Sequence, residues 1–178
     1  MDLSKKIISL PIKNQYFPFF PTFMKYILQN ANPSNLLKLY QCCKYFYFKS
    51  KITIVPNVWY NPEKKEIEFK HFVNNGKNFF YLAYPNTEKL WLCDMLRIYS
   101  GAYGYGLIGN VFLNKIYRNN LKELKIHSGF TIFKELGILS KSLNLIKVVL
   151  LTCVKNENGK PIPIEEIMVL FPQLKTFT

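Results

Sequence analysis

The sequence predicts an α/β chain: a small helical unit first, then irregular β–α units that build a short parallel sheet. Three observations predict it. Residues 32–47 read NPSNLLKLYQCCKYFY, two apolar helical runs in close succession. Ile52-Thr53-Ile54-Val55 then switches to β-branched residues, which favour strands. Further on, apolar residues recur in L-x-x-L-x-L frames. The expected division is a lead-in over 1–15, a helical unit over 16–50 and β–α units over 51–178.

Taken in order, the aromatic, proline-rich start at 16–21 leads to a helix from about Thr22, read as its N-cap. Asn32 caps the next helix and Pro33 suits its first position, where the N–H has no partner. Leu36, Leu37, Leu39 and Tyr40 give an apolar stripe, with Lys38 and Gln41 off it. Cys42, Cys43, Tyr45, Phe46 and Phe48 form the second run. Pro56 is expected to end the strand at 52–55, and residues 61–65 to turn into Glu66–Phe72 as a hairpin. Asn74-Asn75-Gly76-Lys77 reads as another turn. Helix candidates follow at 110–118 and 131–140, and at 163–171 with Pro163 in the first helical position and Glu165-Glu166 in the first turn.

The helical unit resembles an F-box. Pro33, Leu36, Leu37, Leu39, Cys43, Lys44 and Phe46 follow the order of its second half, a Pro-x-x-Leu-Leu-x-Leu segment leading to Cys-Lys-x-Phe. Phe20-Pro21, Met24, Ile27 and Leu28 resemble the first half. Thr22 and Phe23 stand where an acidic residue is usual, Ala31 replaces a leucine and Cys42 a valine. Leu10-Pro11 is the closer starting dipeptide but lies too far upstream without an insertion. The resemblance covers roughly residues 10–50 and implies docking on a Skp-type linker protein, and through it a cullin. Pro21, Met24, Ile27, Leu28, Pro33, Leu36, Leu37, Leu39, Cys43 and Phe46 would make that contact. It also implies a repeat region presenting a protein substrate for ubiquitin transfer, with no chemistry by the chain and no cofactor.

The frames behind it fit leucine-rich repeats: Thr87-x-x-Leu90-x-Leu92, Leu121-x-x-Leu124-x-Ile126, Leu145-x-x-Val148-x-Leu150-x-x-Cys153 and Leu174-x-x-Phe177. Spacings of 34, 24 and 29 make them irregular, and the last frame is expected to be truncated at Thr178. One unit cannot bury its own apolar face, so such units stack. The leucines point inward and the residues between them line the opposite face. That assigns Lys89, Trp91 and Cys93, then Glu123, Lys125 and His127, then Lys147, Val149 and Leu151, with Thr176 and Thr178. Trp91, Val149 and Leu151, with Lys125, are the expected substrate contacts.

Composition narrows the classes. The chain has 178 residues, 49% hydrophobic, and carries a net charge of +13. That charge suggests nucleic acid or an anionic membrane. It is almost all lysine, however, with only Arg97 and Arg118, and phosphate and base recognition favours arginine. A repeat-type binding module without ubiquitin connection and a basic nucleic-acid binder are the alternatives. Cys42, Cys43, Cys93 and Cys153 form no C-x-x-C pair and read as buried free thiols of a reducing, cytoplasmic or nuclear compartment. No signal peptide and no spanning segment is read.

The remaining chemical motifs fail their own tests. Gly104-Tyr105-Gly106-Leu107-Ile108-Gly109 matches G-x-G-x-x-G, but no carboxylate follows the next strand at Leu124-Lys125-Ile126. It reads as a mobile glycine loop. His71 and His127 lack partners at a telling spacing for a catalytic triad. Glu165-Glu166 is explained by the helix dipole. The aromatics at 16–23 and 45–48 read as core and interface rather than as a base-stacking platform.

Overall fold

A computed structural model describes residues 19–62, 66–72, 79–83, 89–99 and 108–178. It divides into two compact units, 1–51 and 52–178. The expected lead-in over 1–15 and the turn at 74–77 lie outside the described residues.

In the first unit, helix α1 spans Pro21–Asn30, α2 Pro33–Cys42 and α3 Lys44–Ser50. Asn32 caps α2 as expected: its Oδ1 accepts the Asn35 N–H at 2.8 Å, and Pro33 opens the helix. Thr22 does not cap α1. Phe20 holds that position without a side-chain bond, and Pro21 fills the first turn. Cys43, in an extended conformation, separates α2 from α3. After α3 the chain turns through Lys51 at φ +48°, a left-handed conformation that commonly ends helices. Among the described residues of the three helices, Met24, Leu36 and Phe46 are the buried side chains.

The second unit is one eight-stranded, mostly parallel sheet. Its strands are β1 (Ile52–Asn61), β2 (Glu66–Phe72), β3 (Phe79–Ala83), β4 (Lys89–Tyr99), β5 (Ile116–Asn119), β6 (Glu123–Ile132), β7 (Lys147–Lys155) and β8 (Thr176–Phe177). They run in the order β3-β2-β1-β4-β6-β7-β8, with β5 pairing β4 alongside. The β1–β2 hairpin forms as expected, and β3 extends it antiparallel. Pro56 does not end β1. The strand continues to Asn61, with the proline at a register shift against β4 between Val55 and Asn57, and irregularities of this kind are where strands accommodate proline.

Short helices α4 (Asn110–Leu113), α5 (Phe133–Leu139) and α6 (Ile164–Val169) connect the strands. The first candidate helix at 110–118 is thus only one turn long, and β5 takes its second half. Pro163 precedes α6 as its N-cap residue instead of opening it. Phe112, Leu136, Leu139 and Ile167 join Leu96, Ile98, Leu124, Ile126 and Val148 in one apolar core. So one face of the sheet carries the core.

Register decides where the repeat frames fall. Leu124 pairs with Val148, and Val148 with Phe177, so the last three frames are in phase. The residue opposite Leu124 on β4 is Leu96, not Leu90, and Ile98 lies opposite Ile126. The in-phase frame is therefore Cys93-x-x-Leu96-x-Ile98, six residues later than Thr87-x-x-Leu90-x-Leu92. Frame spacings become 28, 24 and 29. The first half of β4 pairs instead with β5, Leu90 opposite Ile116 and Trp91 opposite Arg118.

Candidate functional site

Three rows of side chains cross the sheet face opposite the core. In-register neighbours on parallel strands share a face and lie about 4.8 Å apart. The first row is Met95, Glu123, Lys147 and Thr176. The second is Trp59, Arg97, Lys125 and Val149, and the third Tyr99, His127 and Leu151. A bulge in β6 between His127 and Phe130 brings Phe130 opposite Cys153 as a continuation. There the hydroxyls of Ser128, Thr131 and Thr152 bond one another at 3.1–3.3 Å and tie the irregular segment to β7. None of these row residues is fully enclosed, whereas Leu96, Ile98, Leu124, Ile126 and Val148 on the other face are.

The face is cationic with an apolar middle. The Arg97 guanidinium stacks over the Trp59 ring at 4.7 Å, and Tyr99 meets the same ring edge-on at 6.1 Å. Lys155 Nζ lies 5.0 Å from the Phe130 ring. Glu123 Oε1 binds Lys147 Nζ at 2.8 Å and Lys125 Nζ at 3.0 Å. Burial pushes the Glu123 carboxyl up, but the two ammonium groups outweigh it and hold the group below the usual carboxylate range. Leu151 is 59% exposed.

The expected substrate contacts divide accordingly. Lys125, Val149 and Leu151 lie together on this face, as read from the frames. Trp91 does not join them. It is 3% exposed, with Arg118 stacked over its ring at 4.6 Å and its Nε1–H donated to Asn120 Oδ1 at 3.0 Å. Cys93 is buried as well, and burial, followed by the neighbouring Asp94, pushes its thiol up to about 12. The register shift explains the correction: Met95, Arg97 and Tyr99 occupy the rows expected for Lys89, Trp91 and Cys93. Sequence reasoning missed Trp59, Arg97, Tyr99 and Phe130. The available signal was the alternation Leu96-x-Ile98, which sets Arg97 and Tyr99 on the opposite face.

The four cysteines are free thiols, but only Cys93 is buried; Cys42 and Cys153 are exposed. Of the glycine motif, Ile108 and Gly109 lie within the described residues. Their N–H groups donate to Glu135 of α5 at 3.1 and 2.9 Å, and Gly109 takes φ +80°. An internal carboxylate therefore takes up the backbone N–H groups of these two residues. Among the described residues, no group of three His, Cys, Asp or Glu side chains could hold a metal, and no helix is long and apolar enough to cross a membrane.

In the helical unit, the residues that carry the F-box resemblance fall into two sets. Met24, Leu36 and Phe46 are buried, while Ile27, Leu28, Pro33, Leu37, Leu39 and Cys43 are half-buried and Pro21 is exposed. Tyr26, Ile27, Asn30, Lys38 and Leu39 border a shallow open groove between α1 and α2. No protein-family model, no curated protein and no solved structure matches the chain.

Proposed function

We propose that the chain is a substrate-recognition adaptor of a Skp-cullin-F-box type ubiquitin ligase. The helical unit docks on a Skp-type linker, and the open face of the sheet holds a protein substrate. The observation that carries the reading is the half-buried set Ile27, Leu28, Leu37 and Leu39. Leu37 and Leu39 belong to the ordered second half of the F-box-like pattern and Ile27 and Leu28 to its looser first half, and all four keep apolar surface open, as a docking surface does. An adaptor of this kind performs no bond chemistry. It holds substrate beside the transfer machinery and so makes the transfer effectively intramolecular.

The test is capture of a Skp-type linker by the full chain and by Leu39→Asp and Leu37→Asp variants. Leu36→Asp is uninformative, because Leu36 is completely enclosed and its loss would unfold the unit. Each half-buried substitution puts a charge into the interface and should weaken capture by about 2 kcal/mol or more. Circular dichroism checks that the variants remain helical. A helical Leu39→Asp variant that captures the linker undiminished ends the reading.

A further inference from the structure

We propose that the open face of the sheet takes an extended acidic peptide segment with one large apolar side chain at its centre. The inference rests on the adaptor reading only in calling that segment a substrate, since the surface itself lies wholly on the sheet unit.

The pattern is clearest on β7. Lys147, Val149, Leu151, Cys153 and Lys155 alternate onto the open face, since Val148 and Val154 point into the core. Leu151 stands at the middle with a lysine four residues away on either side. At about 3.3 Å per residue, each lysine lies roughly 13 Å from it along the strand. An extended peptide laid along β7 would match with one apolar side chain and a carboxylate about four residues to each side. Arg97 adds a further cation towards β4, while two acids share the face: Glu123, held between Lys125 and Lys147, and Glu68, which continues the second row beyond Trp59 on β2, away from β7.

A nucleic acid fits this surface less well. Its phosphates recur about every 3.4 Å of helix axis along each strand and call for closely spaced cations. Here the β7 lysines are roughly 26 Å apart with apolar side chains between them. Arg97, the face's one arginine, has its planar group laid over Trp59. An apolar centre with cations at the margins suits a hydrophobic anchor flanked by carboxylates.

The experiment uses the full chain and fluorescein-labelled peptides read by anisotropy. The probe is a short peptide of aspartate and glutamate with one central leucine. Comparators replace the leucine by serine, replace the acids by lysine, or use single-stranded oligothymidylate. The exposed thiols report location: Cys153 lies on the open face beside Leu151, and Cys42 lies in the helical unit. The acidic leucine peptide should bind at least about tenfold more tightly than either peptide comparator, a difference of about 1.4 kcal/mol. It should slow alkylation of Cys153 and leave the rate at Cys42 unchanged. Leu151→Asp should lose about tenfold in affinity, and Leu151→Ile should retain it.

Equal binding of the lysine peptide overturns the proposal, as does protection of Cys42 in place of Cys153. Stronger protection of Cys153 by oligothymidylate than by the peptide assigns the face to nucleic acid and overturns it too. No saturable binding at about 1 mM peptide has the same force. Linker capture is measured on the same preparation. Capture without peptide binding removes this inference alone, and peptide binding without capture removes the adaptor reading alone.

Discussion

The chain has two tryptophans and two arginines, and the sheet pairs them: Arg118 over Trp91 and Arg97 over Trp59. The ring-to-guanidinium distances, 4.6 and 4.7 Å, are nearly equal. The surroundings are not. Trp91 is enclosed and its indole N–H is bonded to Asn120, while Trp59 lies half-buried on the open face, between Arg97 and Glu68 in its row and beside Tyr99. The same pair of residues thus closes one end of β4 and leaves the other end available. What differs is the neighbouring strand. β5 ends at Asn119 and supplies Arg118 to the first half of β4, and β6 supplies Lys125 and His127 to the second. Both arginines are laid on indole rings, where each contact contributes about 0.5–2 kcal/mol.

Thiol chemistry sharpens the contrast most. Cys93 lies two residues from Trp91, and burial carries its pKa from the ordinary value to about 12. Cys153 is exposed on the open face. The thiolate is the reacting species, so near pH 8 the shift alone should slow Cys93 about a thousandfold relative to an unshifted thiol, and Cys153, which is exposed, should be modified first. Timed alkylation followed by mass spectrometry measures this. After denaturation without reductant, all four cysteines should be modified. Comparable native rates at Cys93 and Cys153 would break the distinction between a closed and an open end.

Stability gives the next test. Trp91→Ala removes an enclosed ring and leaves Asn120 without its indole partner. It should cost about 3–5 kcal/mol in chemical denaturation. Trp59→Ala, at a half-buried position, should cost about half as much or less. A Trp59→Ala cost equal to that of Trp91→Ala would show that the face around Trp59 is core, and the docking surface would lose its basis.

Much of this arrangement was legible in the sequence, and the exceptions are instructive. Leu124-x-Ile126 and Val148-x-Leu150 could be assigned to strands because alternation and burial agree there. Asn32-Pro33 could be read as a helix start because capping chemistry is local. The first repeat frame could not be placed by the same reasoning. Thr87-x-x-Leu90-x-Leu92 looks more leucine-rich than Cys93-x-x-Leu96-x-Ile98, yet pairing across strands, a long-range matter, selects the second. Pro56 reads as a strand end by local propensity and is carried through by a register shift that no local rule shows. The Arg–Trp pairs join residues on different strands, so neither was visible before the register was known. In the helical unit, the apolar pattern marks which residues are oily; it does not distinguish enclosed Leu36 from half-buried Leu39 on the same stripe.

The smallest predicted effect concerns the Glu123 ion pairs at the edge of the open face. The carboxyl is held below its usual range in the folded chain, after burial, which pushes it up, is outweighed by Lys147 and Lys125. A depressed carboxyl stabilises the fold above its unfolded pKa, and that stabilisation is lost as pH falls through the lower, folded value. The loss therefore begins near the ordinary glutamate range, about pH 4.3, and is completed below it. All three side chains retain some solvent contact, which screens the pairs and limits the effect to about 1 kcal/mol or less. Glu123→Gln should remove this part of the acid dependence. Its denaturation free energy should fall below that of the parent chain at pH 7, and the two should converge as both are taken to acid. If instead Glu123→Gln is more stable at pH 7, the burial cost exceeds the two contacts. The carboxylate would then be a stability cost of the open face, in contrast to the neutral asparagine beside Trp91.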